Sequence, residues 1–398
     1  MRLLLDDNGT SGLDPELLAL DAHAQVEVRL FNPYPHRAFK ALGYLNDFAR
    51  LNRRMHNKAL VADAQAAIIG GRNIGDAYFG ADPALAFVDL DVLATGPIAA
   101  DIAASFDDYW NSPLAYPVAA LLEEPPPTED VLSARLAKVT ASPETALYGH
   151  PVRDTPLAAQ LAAGTLALEW VPMRLFADPP AKAEGTAEPS TWMAADLTQA
   201  LGRAAREVDL VSPYFVPGTR GTEALAAYPA NGVRLRIVTN SLAATDVAAV
   251  HAGYARRRID LLRAGVNLYE IKPDRDVAGT PGWRLFGSSA ASLHGKTFAL
   301  DRERAYVGSF NVDPRSIRIN TEMGLVIDSP ALASSVSDAL DHWLPANAYE
   351  LRLAQGQRLE WVERNGAREV VHHEEPRTSL WRRLLVALLS LLPIEGLL

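Results

Sequence analysis

His56-Asn57-Lys58-Ala-Leu-Val-Ala-Asp63 and His294-Gly295-Lys296-Thr-Phe-Ala-Leu-Asp301 are two versions of one pattern, a His with a Lys two positions on and an Asp five further. The two His residues lie 238 positions apart. Downstream, Ile69-Gly70-Gly71-Arg72-Asn73 matches Val307-Gly308-Ser309-Phe310-Asn311 at the same offset. Upstream, Val26 to Pro33 matches Val266 to Pro273 at 240, and Arg2-Leu-Leu-Leu matches Arg234-Leu-Arg-Ile at 232. Blocks in one order at nearly constant offset mark an internal duplication of a unit of roughly 150 residues.

The second copy displays the unit most fully. Trp192 to Arg206 has helical periodicity, Val208 to Phe215 reads as a strand, and a helix around Glu223 to Tyr228 leads to the strand Val233 to Thr239. A helix through Ala252 to Ala264 precedes the strand Val266 to Ile271. Alternating strands and helices predict an α/β unit in which layers of helix cover a sheet. The first copy starts at Met1 on the strand matching Val233 to Thr239, with no counterpart to Trp192 to Phe215. Either the first half lacks its opening strand and helix, the reading adopted here, or another segment fills the gap. The first reading predicts an exposed sheet edge with a risk of aggregation.

The predicted organisation is a first lobe over residues 1–122, a linker and connecting segment over 123–190, a second lobe over 191–345, and a polar tail with a C-terminal amphipathic segment over 346–398. Pro-rich polar stretches at Glu123 to Asp130 and Asp178 to Ser190 suggest linkers, with Trp170 to Phe176 a connecting strand between them. Ser379 to Pro393 carries Trp381 and many Leu residues behind Arg382 and Arg383. It fits a helix lying on a bilayer, or equally one docked on the protein's own core.

On a strand, residues i and i+2 share a face, so His56 projects with Lys58 and His294 with Lys296. Asp63 and Asp301 fall at the hairpin turns that follow, where a carboxylate bonds nearby backbone donors, and are assigned to shaping those turns. Asn73 and Asn311 sit on the Gly/Ser turns closing the return strands. Aligning Val88 to Pro97 with Thr321 to Pro330 sets Asp89 opposite Glu322, each about thirty residues beyond its motif His, as the candidate carboxylates that orient the imidazoles. Two such sets facing across a pseudo-twofold axis suit phosphodiester cleavage without a metal. One neutral His attacks phosphorus to form a phosphohistidine, and the other, protonated, donates to the leaving oxygen. Lys58, Lys296, Asn73 and Asn311 would hold the nonbridging oxygens.

HNKALVAD with GGRN, and HGKTFALD with GSFN, resemble the doubled HxKxxxxD signature of the phospholipase D superfamily. GGRNIGDAYF and GYARRRIDLLRAGVNLYEIKP are similar to stretches of its bacterial cardiolipin synthases. The resemblance implies an α/β fold, a phospholipase D-like pseudo-dimer of two α/β sandwich lobes with the active site at their interface. It also implies a phosphohistidine mechanism, transfer of a phosphatidyl group to an alcohol, no cofactor and no metal. His56 would be the nucleophile and His294 the acid. A peripheral position on the cytoplasmic face of the cell membrane goes with it. The sequence departs from the family's pattern at its N-terminus.

Composition narrows the partners. The chain has 398 residues, a formal charge of −10, 48% hydrophobic residues and no cysteine. Disorder, disulfides and thiolate chemistry are out. An acidic chain with no Lys/Arg stripe argues against nucleic acid as a partner, and the resemblance implies phospholipids, on a membrane surface, as the substrates. No apolar run reaches the roughly 20 residues of a membrane span. Arg72 is a headgroup contact or merely exposed. Arg53-Arg54 and Arg256-Arg257-Arg258 read as headgroup-attracting clusters or solvated faces, His372-His373 as a solvated tail, and His23, His36, His150, His251 and His342 have no nameable partners. The competing functions are cardiolipin synthesis from phosphatidylglycerol and a second phospholipid, phosphodiester hydrolysis yielding phosphatidic acid, and a truncated, inactive lipid-binding homologue.

Overall fold

The computed structural model describes residues 1–75, 78–79, 86–122, 129–141, 155–273, 291–366, 368–393 and 395–397. His150, most of the proline-rich stretch from Glu123, and part of the GGRNIGDAYF run lie outside the described residues. In the second half the strands Glu207–Val211, Arg234–Asn240 and Asn267–Ile271 run parallel, and the motif hairpin Lys296–Leu300 and Arg304–Gly308 joins antiparallel to the first of them. With Met323–Ile327, Met173–Ala177 and three later strands they make one ten-stranded sheet. The helix expected over Trp192 to Arg206 forms as Met193–Leu201, and the one expected over Ala252 to Ala264 divides into Ala248–Ala255 and Arg258–Arg263.

In the first half the equivalent strands form two separate three-stranded sheets. Arg2–Asp6 pairs with Glu27–Phe31, and Ala59–Ala62 with Ala66–Gly70. The second half bridges these two groups with Glu207–Val211, and among the described residues no strand does so in the first. The consequence is visible in burial: every residue of Lys296–Leu300 is buried, whereas Ala59–Ala62 is largely exposed. A cavity of about 60 Å³ lies between the two edges, lined by Leu4, Ala59, Ile102, Phe106 and Met323 among others.

The two halves share core. Ile69, Ala94, Ile98 and Ile102 of the first pack against Met323, Leu325 and Ile327 of the second. Leu90 joins Val211, Val238 and the buried side of helix Pro330–Asn347, including Val336, Leu340 and Trp343. That helix starts with Ser329, whose hydroxyl accepts from the Leu332 amide, and with a proline in its first turn.

Three expectations from the sequence change. Residues 348–372 are not a polar tail: Ala348–Leu353, Leu359–Asn365 and Arg368–His372 extend the large sheet, burying Tyr349, Leu351, Trp361 and Val362. Their alternation of apolar and charged residues was masked by the many charges. The stretch from Asp178 is not a loose linker, because Asp178 and Lys182 are buried and bonded at 2.8 Å on the turn and helix Pro180–Glu184. One arginine of each cation cluster is internal, while Arg256 is exposed. Arg54 pairs with Asp6, and Arg258 with Glu270 and Glu375 between Tyr254 and Trp361. His251 accompanies them beside Glu375, and His372 bonds Glu363 at 2.9 Å.

The C-terminal helix is docked on the protein along one side, as one alternative had it, and leaves its other side exposed. Helix Leu380–Leu391 docks Val386 against Leu242 and Ala252, while Trp381 and Leu391 are each 80% exposed. No helix among the described residues is long and apolar enough to cross a membrane.

The unpaired edge predicts a difference in local stability. Outward-facing amides of Ala59–Ala62 should exchange hydrogen at least about a hundredfold faster than those of Lys296–Leu300, measured residue by residue. Equal protection would mean that something else covers the edge.

Candidate functional site

The site is assembled by strand register between the halves. The short strand Ala86–Val88 pairs parallel with Ala291–Leu293, setting Val88 beside Leu293. Met55 forms a parallel bridge with Thr321, and the His56 amide donates to the Thr321 carbonyl at 2.9 Å. In both places the residue before a motif His is in register with the residue before the other half's carboxylate. The orienting pairs therefore cross. His56 Nδ1 lies 2.7 Å from Glu322 Oε2, and His294 Nδ1 lies 2.6 Å from Asp89 Oδ2. Asp89 and Glu322 are the carboxylates the sequence singled out, but each serves the His of the opposite half. Spacing along the chain could not reveal the exchange, because it depends on a pairing between distant strands.

The lysines project with their imidazoles as the strand period requires. Lys58 Nζ donates to the His56 carbonyl at 2.6 Å, and Lys296 Nζ lies 2.9 and 3.1 Å from the two ring nitrogens of His294. His56 keeps 24% of its side-chain surface exposed and His294 only 7%. With Nδ1 of each ring engaged by a carboxylate, Nε2 is the atom left for chemistry.

Glu322 is the better supported carboxylate. It accepts from the Ser316 hydroxyl at 2.7 Å and from Ser309, and its own amide donates to Asp178 at 2.9 Å. Position 71, the counterpart of Ser309, is a glycine, and a Cβ there would come within 2.6 Å of Asp89. The first half thus trades a hydroxyl donor for room. Ser309, Ser316 and Asp178 were not foreseen; the mismatch of Gly71 with Ser309 in the aligned repeats was the available signal.

The remaining candidates divide. Asn73 Nδ2 donates to the Tyr78 hydroxyl at 2.7 Å, and that hydroxyl lies 3.5 Å from His294 Nε2. Asn311 is buried, and its side-chain oxygen has no hydrogen-bond partner among the described residues. Asp63 and Asp301 sit at the far ends of the motif strands, both at positive φ in the turns. The Asp301 carboxylate accepts from the amides of Ala205, Arg206 and Glu207, so instead of bonding donors within its own turn it ties the hairpin to the start of strand Glu207–Val211. Arg72 is neither exposed nor a free headgroup ligand: it donates to Asp91 and to the carbonyls of Tyr78 and Asp89, bracing the Asp89 loop. Among the described residues no cluster of His, Asp and Glu is arranged to hold a metal ion.

The electrostatics follow from concentrating cations in a dry place. Burial pushes Lys58 down to about 7 and Lys296 down to about 8. Burial also lowers His56, against the pull of Glu322, and lowers His294 far more, helped by the charges on Lys296, Lys58 and His56. The crossed contacts of His56 with Glu322 and of His294 with Asp89 bring the two motif sets together at the junction of the halves. Burial raises Asp89; it acts on Glu322 too, but His56, Lys58 and Ser309 outweigh it and hold that carboxyl below its usual range. Such an arrangement is short of negative charge at its centre and suits an anion with two or more free oxygens.

Two measurements test this description. A lysine lowered to about 7 or 8 carries its proton only below that pH. Sulfate, whose charge is constant in this range, should therefore bind more weakly, measured by calorimetry, as pH rises through about 7 to 8. The crossed pairing predicts that Glu322→Gln lowers the pKa of His56, seen by imidazole NMR, with far less effect on His294. The reverse pattern would contradict the register.

Residues 197–344 match the family profile described as cardiolipin synthase, PLD-like domain. Over 402 residues the chain is 45% identical to cardiolipin synthase C of Escherichia coli (strain K12), covering 100% of this chain and 84% of that protein. It is 29% identical over 299 residues to cardiolipin synthase A of Pseudomonas fluorescens (strain SBW25), covering 75% of this chain and 49% of that protein. Of solved structures, the phosphatidylserine synthase of Haemophilus influenzae Rd KW20 superposes with a TM-score of 0.51 at 14% identity, over 87% of this chain and 71% of that one, a likeness of fold. With its doubled motif, its shared fold and nearly half its residues in common with such a relative along its whole length, the chain belongs to the phospholipase D-like cardiolipin synthase family.

Proposed function

We propose that this chain is a phosphatidyltransferase that makes cardiolipin from phosphatidylglycerol and a second phospholipid. The observation that carries the reading is the pair of crossed His–carboxylate contacts, with Lys296 beside the His294 ring and Lys58 on the His56 carbonyl. Two imidazoles and two ammonium groups are what an in-line exchange at phosphorus requires.

In the first half-reaction neutral His56 attacks through Nε2. A P–N bond forms, the P–O bond to the leaving glycerol breaks, and protonated His294 gives its proton to the departing alkoxide. His294, now neutral, then takes the proton of the acceptor's hydroxyl, whose oxygen displaces Nε2 and restores both rings. Lys58 and Lys296 balance the charge on the nonbridging oxygens, and Asn311 adds its amide. The ionised Glu322 beneath His56 favours that ring as nucleophile, since a fixed negative charge at Nδ1–H makes Nε2 more electron-rich. His294 needs a proton it does not hold in the empty site. The phosphodiester's own negative charge offsets the lysines that expel it.

The acceptor decides between transfer and hydrolysis, because water and a lipid hydroxyl meet the same phosphohistidine. The exposed apolar side of Leu380–Leu391 supports action on lipid held in a bilayer, at its cytoplasmic face.

Labelled phosphatidylglycerol, offered with and without phosphatidylethanolamine, tests the proposal directly. Cardiolipin is the expected product; phosphatidic acid alone would establish hydrolysis in its place. His56→Ala and His294→Ala should each lower turnover by at least about 10⁴-fold, and EDTA should leave it unchanged. In His294→Ala a 32P-labelled, acid-labile and base-stable adduct on His56 should accumulate from a donor with a good leaving group. Its appearance on His294 in the converse variant alone would exchange the two roles.

A further inference from the structure

The helix that leads into the first motif is built inside out. Lys40–Leu51, kinked at Asp47, turns Lys40, Tyr44 and Arg50 toward the protein. Lys40 Nζ binds the Asp7 carbonyl and lies 3.2 Å from its carboxylate, and the Tyr44 and Tyr34 hydroxyls are 2.7 Å apart. Arg50 donates to Asp47, Asn32 and the Pro33 carbonyl. Outward, at every third position, stand Phe39 (70% exposed), Leu42 (51%), Leu45 (80%) and Phe48 (51%). A water-facing helix has the opposite arrangement, since leaving four large apolar side chains wet forfeits the burial that stabilises a surface helix.

We propose that Phe39, Leu42, Leu45 and Phe48 form a membrane-inserting ridge that seats the active-site mouth on a phospholipid bilayer. The proposal rests on the reading that the substrates are bilayer lipids. Position supports it: only Asn52 to Met55 separate the helix from His56, and Arg315 ties that connection to the second half by donating to the side chain and carbonyl of Asn52. A ridge in the acyl region would hold the cleft at the level of the phosphates. Charge supports a lipid occupant inserted by its apolar part. Arg37, Lys40, Arg50 and Arg54 are already paired with Asp7, Asp14, Asp47 and Asp6, so few cations remain here to recognise an acidic protein. Seating through this ridge is therefore apolar in character and insensitive to salt.

The test uses the full chain and vesicles of phosphatidylglycerol and phosphatidylethanolamine. Since the chain has no cysteine, Leu45→Cys offers a single attachment point for a nitroxide. On vesicles its collisions with oxygen should rise relative to those with a water-soluble nickel chelate, while a label at Asn231→Cys should stay aqueous. Leu45→Ser combined with Phe39→Ser should weaken vesicle binding by about a hundredfold, roughly tenfold per side chain removed, with the thermal midpoint nearly unchanged because these are the two most exposed residues of the ridge. Binding should vary less than about threefold between 0.05 and 0.5 M salt. A label at position 45 that remains in water on bound vesicles, or one immobilised in a concentration-dependent way without vesicles, overturns the proposal, the latter in favour of a second copy of the chain. Vesicle binding is scored without turnover. A chain seated by this ridge that converts no lipid supports the surface and sinks only the reaction; conversion with an aqueous label sinks only the surface.

Discussion

The register between the halves is the constraint on which the site depends. Leu293 beside Val88, and Met55 beside Thr321, fix the position of each imidazole relative to a carboxylate from the other half. Neither half can form an oriented histidine alone. A slip of one residue in either pairing would turn the carboxylate to the opposite side of its strand and leave a buried charge without its partner. Coupling the chemistry to the interface makes the shared core of Ile69, Ile98, Leu325 and Ile327 part of the catalytic apparatus, although none of these residues carries a reactive group.

Duplication has not produced equal halves. The second motif lies in the middle of a ten-stranded sheet, and its histidine and lysine are almost fully buried. The first lies on a three-stranded sheet, and its histidine reaches solvent. The carboxylates differ in the same sense of specialisation, Glu322 with two hydroxyl donors and Asp89 beside a glycine. Two residues of one type in two dielectric settings hold protons with different strength: the drier His294 holds its proton less firmly than His56, so a role as acid depends on the negative charge that a bound phosphodiester brings.

The distribution of charge has a second logic. A chain with 48 acidic and 38 basic residues uses many of its arginines inward, in pairs that neutralise them, as with Arg54, Arg236 and Arg258. Those cations were legible as clusters but not as buried, because a run such as Arg256-Arg257-Arg258 reads alike on a wet face and in a core. The helix Lys40–Leu51, which the sequence reading did not single out, shows the converse: which of its sides faces water depends on where Asp7, Tyr34 and Asn32 stand in the fold.

What the sequence determined by itself was the chemistry and its doubling: two His–Lys sets, two asparagines, Asp301 at a hairpin turn, and Asp89 and Glu322 as carboxylates of equivalent position. Those features are local, fixed by strand period and by alignment of the chain with itself. What only the tertiary structure decided was which carboxylate serves which histidine, that residues 348–372 complete a sheet, and that Asp178 and Ser316 stand behind Glu322. Each of these rests on contacts between segments far apart in the chain, and spacing along a polymer carries no record of how distant strands are paired.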